Sequence, residues 1–129
     1  MARTIDSRPY EFSFTSFVTG HHVYKEVWTP VIGEKVRFCR EPENPHDRYA
    51  VAAYKDEKIV GHIPRTISKP CFFAILAGAK LKATVSGARQ NTRNNGLEVP
   101  VKYFVKGPYE HMIKAQTYIR ELVDANCNV

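Results

Sequence analysis

The sequence predicts a mainly β protein, an OB-like antiparallel β-barrel of about six strands with one short buried helix and a C-terminal helix. Three observations predict it. Apolar and polar residues alternate with period two in several short runs. Clusters of Gly, Pro, Asn and Asp separate those runs at short spacing. Helix-ending signals bound two stretches, one after Ser68 and one after Gly107-Pro108.

In chain order, residues 1–9 are polar, end in Pro9 and read as a flexible lead-in to a barrel over 10–107. Tyr10 to Val18 alternates as a half-buried strand and breaks at Gly20-His21-His22. A connection holding Trp28 and Pro30 leads to Gly33 and a second strand, Glu34 to Arg40, with Val36 and Phe38 on one face. Tyr49–Tyr54 and Lys58–Ile63 read as a hairpin joined by Lys55-Asp56-Glu57. Ser68 is then an N-cap candidate, Pro70 falls in a first helical turn, and Gly78 closes the helix. Cys71 to Ala77 is apolar nearly all round, which predicts burial as a plug at one end of the barrel. Two long strands follow, Lys80–Gly87 and Leu97–Val105, joined by a basic loop from Ala88 to Gly96. Residues 108–129 form the C-terminal helix and tail. There Met112, Ile113, Gln116, Ile119 and Val123 make a stripe that reads first as a packing face and second as a partner surface.

At 129 residues the chain has room for one hydrophobic core. Nineteen basic and thirteen acidic residues give a net charge of +6, and the excess is one-sided. Over 65–106 the charged residues are Arg65, Lys69, Lys80, Lys82, Arg89, Arg93, Lys102 and Lys106 against Glu98. Such an excess serves either solubility or a polyanionic partner, nucleic acid or an anionic membrane. Three scattered cysteines, Cys39, Cys71 and Cys127, form no disulfide framework; Cys39 and Cys71 read as core. No apolar run reaches spanning length and the N-terminus lacks a signal-peptide core, so an intracellular, reducing compartment is expected, nuclear in a eukaryote. His21, His22, His46, His62 and His111 lack the paired spacing of metal ligands, and no nucleophile, Walker or dinucleotide motif is present. No enzyme activity, metal or cofactor is expected.

The densest local signal is Arg40-Glu41-Pro42-Glu43-Asn44-Pro45-His46-Asp47-Arg48-Tyr49-Ala50-Val51, followed by Gly61-His62-Ile63-Pro64-Arg65. Pro45 fixes its own φ and biases Asn44 toward extended geometry, and Pro42 does the same to Glu41. His46 and Asp47 are thus presented from a stiff support. Two uses of Asp47 are open. It can cap its own turn by accepting main-chain N–H groups. Alternatively it accepts a hydrogen bond from a free 3′-hydroxyl of a nucleic-acid strand and repels a continuing phosphodiester.

This constellation resembles the HIRAN domain, a module at the N-termini of some SNF2-type fork-remodelling helicases that also occurs as a stand-alone protein. The resemblance begins near Phe17-Val18-Thr19-Gly20 and Tyr24 and is strongest in Asn44-Pro45-x-Asp47-x-x-Ala50-Val51 and Val60-Gly61-His62-Ile63-Pro64-Arg65. It implies a non-catalytic module that takes single-stranded DNA by its free 3′ end, in repair or replication-fork processing, with a helicase or other repair protein as a further partner. Carried over, Asp47 meets the terminal hydroxyl, His46 replaces an aromatic that stacks on a terminal base, and Tyr24 lines or stacks in the pocket. His22 stands where a basic residue approaches phosphate, and His62 and Arg65 hold the backbone. Val23 and Leu97 fall where the family carries aromatic residues. Stacking should therefore weaken, and phosphate contacts from Arg40, Arg65, Lys69, Arg89 and Arg93 should gain weight. The alternative reading is a protein-interaction scaffold on the same fold, without DNA-end binding.

Overall fold

A computed structural model of the chain describes residues 8–92 and 96–127. The elements run β1 (Pro9–Val18), a 3-10 turn (His21–Val23), β2 (Lys35–Arg40), β3 (Val51–Lys55), β4 (Lys58–His62), α1 (Arg65–Leu76), β5 (Lys80–Val85), β6 (Gln90–Thr92), β7 (Gly96–Pro108) and α2 (Tyr109–Cys127). The strands make one antiparallel sheet in the order β1-β7-β5-β2-β3-β4, with β6 added to β7. The mainly β class is as the alternation predicts.

The sheet curls into an open barrel. Its edge strands β1 and β4 meet at an isolated bridge between Thr19 and His62, whose two main-chain hydrogen bonds are 2.8 and 2.9 Å long. Period-two alternation decides what faces in. Phe12 pairs across Val105, Phe14 across Tyr103, and Ala83 in turn across Tyr103, all of them buried. Tyr103 is the centre of this core: its ring stacks on Phe14 at 4.9 Å and lies 5.2 Å from Phe38. Its hydroxyl donates to the Phe17 carbonyl, so the one polar atom it buries is satisfied. Burial holds that phenol well above its usual range.

Four expectations need correction. The loop after β5 contains a strand, β6, which pairs antiparallel with Gly96–Glu98 of β7; its Arg93 lies outside the described residues. Helix α1 begins at Arg65 with Pro64 as N-cap, so Ser68 lies inside the helix and Pro70 beyond its first turn. Pro70 leaves the Thr66 carbonyl without a helical N–H, a cost the buried site accepts. The helix is also not buried all round, since Phe73 and Leu76 are 45% and 55% exposed. Gly78 closes it as expected, with φ at 104°. Finally, Cys39 faces out from β2, whereas Cys71 is buried in α1 and burial pushes its thiol up to about 12.

The α2 stripe is a packing face. Met112 and Ile119 are fully buried, Gln116 accepts a hydrogen bond from Tyr10 at 2.8 Å, and the Tyr10 and Tyr109 rings meet edge-on at 5.4 Å. The interaction-scaffold reading rests on this stripe, of which Met112 and Ile119 are already packed into the core, while Ile113, Gln116 and Val123 stay partly exposed. Among the described residues no helix is long and apolar enough to cross a membrane.

Candidate nucleic-acid interface

The connection between β2 and β3 is closed at its base by the Glu41 N–H donating to the Ala50 carbonyl at 2.8 Å. Inside it, the Asn44 side-chain carbonyl accepts the N–H groups of His46 at 2.8 Å and Asp47 at 3.2 Å. Asn44 is therefore the residue that caps the turn. Its amide N–H in turn donates to Glu41 at 3.2 Å, and the Ala50 N–H donates to the Asp47 carbonyl at 3.0 Å. The corner is stiffened by these bonds as well as by its prolines.

Asp47 performs the first of the two uses left open by the sequence, and leaves room beside it. Its Oδ1 accepts the Tyr49 N–H at 2.9 Å, a local cap. Among the described residues its Oδ2 has one partner, the Ser68 hydroxyl of α1, at 3.4 Å. A carboxylate offers about four lone-pair positions. One good and one long hydrogen bond leave it able to accept another donor. The side chain is half-buried at the edge of a cleft of about 250 Å³ lined by Thr19, Asn44, His46, Asp47, His62 and Arg65.

Three elements converge on this cleft. The isolated bridge puts Thr19 beside His62, and the Thr19 hydroxyl donates to the His62 carbonyl at 3.1 Å. Arg65, the first residue of α1, donates from its guanidinium to the His46 carbonyl and so ties the helix to the corner. His46 itself is exposed. His62 and Glu41 pair at 2.6 Å, both half-buried, across 21 residues of chain. Tyr24 sits against this pair, its ring tilted on His62 at 6.4 Å. Burial, then the Glu41 carboxylate and Tyr54, hold the Tyr24 phenol above its usual range, so it remains a hydrogen-bond donor. A second cleft of about 550 Å³ adjoins the first, sharing Thr19 and Arg65 and continuing along Gly20, Thr66 and Glu98.

Of the residues singled out in the sequence, the fold therefore brings together Asp47, His46, His62 and Arg65, with Tyr24 behind His62. Of His22 the backbone lies in the 3-10 turn. The remaining described cations have intramolecular partners. Arg40 lies over the Phe72 ring at 5.0 Å and Lys69 over the Tyr49 ring at 5.2 Å. Arg89 donates to the buried His21 ring at 3.3 Å and to the Lys25 carbonyl at 3.4 Å, fastening the β5–β6 connection to the 3-10 turn. Sequence reasoning missed Asn44 as the cap, Glu41 as the partner of His62, and the contributions of Thr19 and Ser68. The Asn-Pro-His-Asp order carries the signal for Asn44; the other three depend on pairing distant in sequence. Among the described residues no three His, Cys, Asp or Glu side chains gather as metal ligands would.

A family model, the HIRAN domain, matches residues 11–104. Among solved structures, the crystal structure of the HIRAN domain of human HLTF is similar with a TM-score of 0.68 and 20% identity, over 85% of this chain and 88% of that one. An NMR structure of the HLTF HIRAN domain in its DNA-bound conformation gives a TM-score of 0.65 and 22% identity, over 91% and 92%. A protein from Lactobacillus plantarum gives 0.56 and 20%, over 74% of this chain and 97% of that one. No curated protein sequence matches. With the family model spanning most of the chain, and the Asn44–Asp47 corner and the His62–Arg65 segment inside it, the chain belongs to the HIRAN domain family.

Proposed function

We propose that the chain is a non-catalytic module that binds single-stranded DNA and seats a free 3′-hydroxyl end at the β2–β3 corner. The observation that carries this is the state of Asp47: half of its carboxylate is capped, and the other half is held only by a long hydrogen bond at the lip of a cleft. Membership of the HIRAN family and similarity to a DNA-bound HIRAN domain support it. A 3′-hydroxyl donates to Oδ2. A 3′-phosphate instead brings two negative charges together in a half-buried place. Arg65 and the Thr19 hydroxyl stand where the preceding backbone would pass. His46 offers a small exposed ring to the last base. A role at repair intermediates or replication forks follows from such a substrate, beside a helicase or other repair protein.

Fluorescence anisotropy with one oligonucleotide carrying either a 3′-hydroxyl or a 3′-phosphate tests the reading. A charge-assisted hydrogen bond is worth about 1.5–3 kcal/mol, so the hydroxyl end should bind roughly 10- to 100-fold tighter. In Asp47→Asn the side-chain oxygen still caps Tyr49, and the discrimination should shrink while residual binding persists. Equal affinity for the two ends in the unmodified protein would overturn the proposal.

A further inference from the structure

The outer face of the sheet carries a second array of charge that the corner does not use. On β2, β5 and β7 the residues that point away from the core fall into register. Lys80 stands directly across from Lys106, Lys82 lies between Arg37 and Phe104, and Thr84 lies between Lys35 and Lys102. Glu11 faces this array across from Lys106, and Glu57 approaches it at Arg37. Like charges placed directly opposite across strands destabilise a sheet. Here two such pairs, Lys80–Lys106 and Arg37–Lys82, occur side by side.

The arginine is otherwise engaged. Its guanidinium lies 4.7 Å from the Tyr54 ring, donates to the Asp56 carbonyl at 3.0 Å and approaches Glu57 at 3.7 Å. The lysines are not. Among the described residues none of Lys35, Lys80, Lys82, Lys102 and Lys106 makes an ion pair, and Lys102 rests over the Phe104 ring at 5.5 Å. Lys35, Lys80, Lys82 and Lys106 border an open groove of about 710 Å³ that Phe104 and Thr84 also line. That groove shares no lining residue with the cleft at Asp47.

We infer that this lysine face is a second nucleic-acid contact, one that grips the phosphate rails of a DNA duplex. Two features choose duplex over single strand. The charges form a two-dimensional array, with β2 and β7 two strand spacings apart, about 10 Å. That span is close to the roughly 12 Å width of a major groove. The aromatic side chains of the face already carry cations, Phe104 under Lys102 and Tyr54 under Arg37, so unpaired bases find no free stacking platform. A polyanion also removes the repulsion that the free protein carries in its like-charge pairs. The inference stands apart from end binding, because the lysine groove and the Asp47 cleft share no lining residue.

The test uses three probes: a closed dumbbell duplex, which has no 3′ end; a short single strand with a 3′-hydroxyl; and phosphatidylserine–phosphatidylcholine vesicles. The variant is Lys80→Gln/Lys82→Gln/Lys106→Gln, with Lys58→Gln/Lys114→Gln/Arg120→Gln as a control of equal charge. The face variant should lose about 10-fold or more in dumbbell affinity, and its salt slope should shallow by roughly 2 to 3. The control should change dumbbell affinity by less than about 3-fold, and the short strand should bind both variants within the same margin. With its like-charge pairs relieved, the face variant should melt at or above the parent temperature; if it melts below, Lys82→Gln alone is read in its place. Unchanged dumbbell binding in the face variant, an equal loss in the control, or capture by vesicles without dumbbell binding would each overturn the inference. Loss of 3′-hydroxyl discrimination with the dumbbell result intact would overturn the end-binding reading alone.

Discussion

The side chain of Asn44 takes the two N–H groups that the corner leaves unpaired, which frees Asp47 from all but one main-chain bond. Two residues that could each cap one turn divide the work, and the carboxylate is the one turned to the cleft. Gly61 controls the other wall. A Cβ there would stand 2.5 Å from Val18 Cγ1 and 2.7 Å from the Thr19 carbonyl oxygen, the oxygen that accepts the His62 N–H in the closing bridge. The backbone cannot yield without opening that bridge. Gly61→Ala should therefore cost about 2–3 kcal/mol in urea unfolding. It should also weaken 3′-hydroxyl binding more than an equally destabilising substitution in α2. Equal stability of variant and parent would contradict the close approach. At this scale the sequence was partly legible. The Asn-Pro-His-Asp order announces a side-chain-capped turn, but the Glu41–His62 pair joins residues that only the β3–β4 hairpin brings together. Nor does the sequence show that Arg89 lies against His21, 68 residues away.

Elements with a period were readable, and elements without one were not. Strands β1 and β2 follow their alternation, and β3 and β4 their apolar runs, to within a residue or two, because apolar side chains must be buried. β6 is Gln-Asn-Thr, with no apolar face, and main-chain pairing with β7 alone makes it a strand. α1 starts early because no side chain caps it: Pro64 is the N-cap, and the Ser68 hydroxyl reaches Asp47 instead. The long connection before β2 is held by Glu34, whose carboxylate accepts the Val31 N–H at 2.7 Å and the Trp28 indole N–H at 3.3 Å and pairs with Lys55 at 3.2 Å. Burial acts to raise its carboxyl, and these bonds outweigh it, so the folded value lies below 4.5. A depressed carboxyl stabilises the fold above its unfolded value and loses that contribution as pH falls through the folded one. Glu34→Gln should therefore lower unfolding free energy by about 1 kcal/mol at pH 7, with the gap closing on acidification below 4.5. A gap that stays constant between pH 7 and pH 3 would contradict the assignment. For α2, Met112 is fully buried against the sheet and its methyl would lie 3.2 Å from a Cβ at Gly107. Met112→Ala should cost about 2–5 kcal/mol by denaturant unfolding; a loss under half a kilocalorie would make α2 an accessory rather than a wall of the core.

At the scale of the whole molecule, the barrel closes where the ligand is proposed to sit. Six strands of the main sheet are joined by ladders of several residues, whereas β1 and β4 meet at the Thr19–His62 bridge. Both bridge residues line the cleft with Asp47. A strand end spanning Thr19, His62 and Asp47 would couple the two free edges of the sheet, so binding and closure should share free energy. Short ladders open more easily than long ones, and the amides of Thr19 and His62 should exchange with solvent faster than those of Phe14 or Tyr103 in the free protein. Saturation with a 3′-hydroxyl oligonucleotide at 100 times its dissociation constant adds about 2.7 kcal/mol to the bound form, up to roughly 100-fold in protection where opening requires release. Hydrogen exchange followed by NMR reads this directly. Slowing at Thr19 and His62, with Lys82 and Phe104 little changed, is the expected pattern for the short strand, and the dumbbell duplex should leave the bridge amides as they were. If the short strand binds tightly and the bridge amides exchange at their free rate, the strand end lies somewhere other than the closing edge.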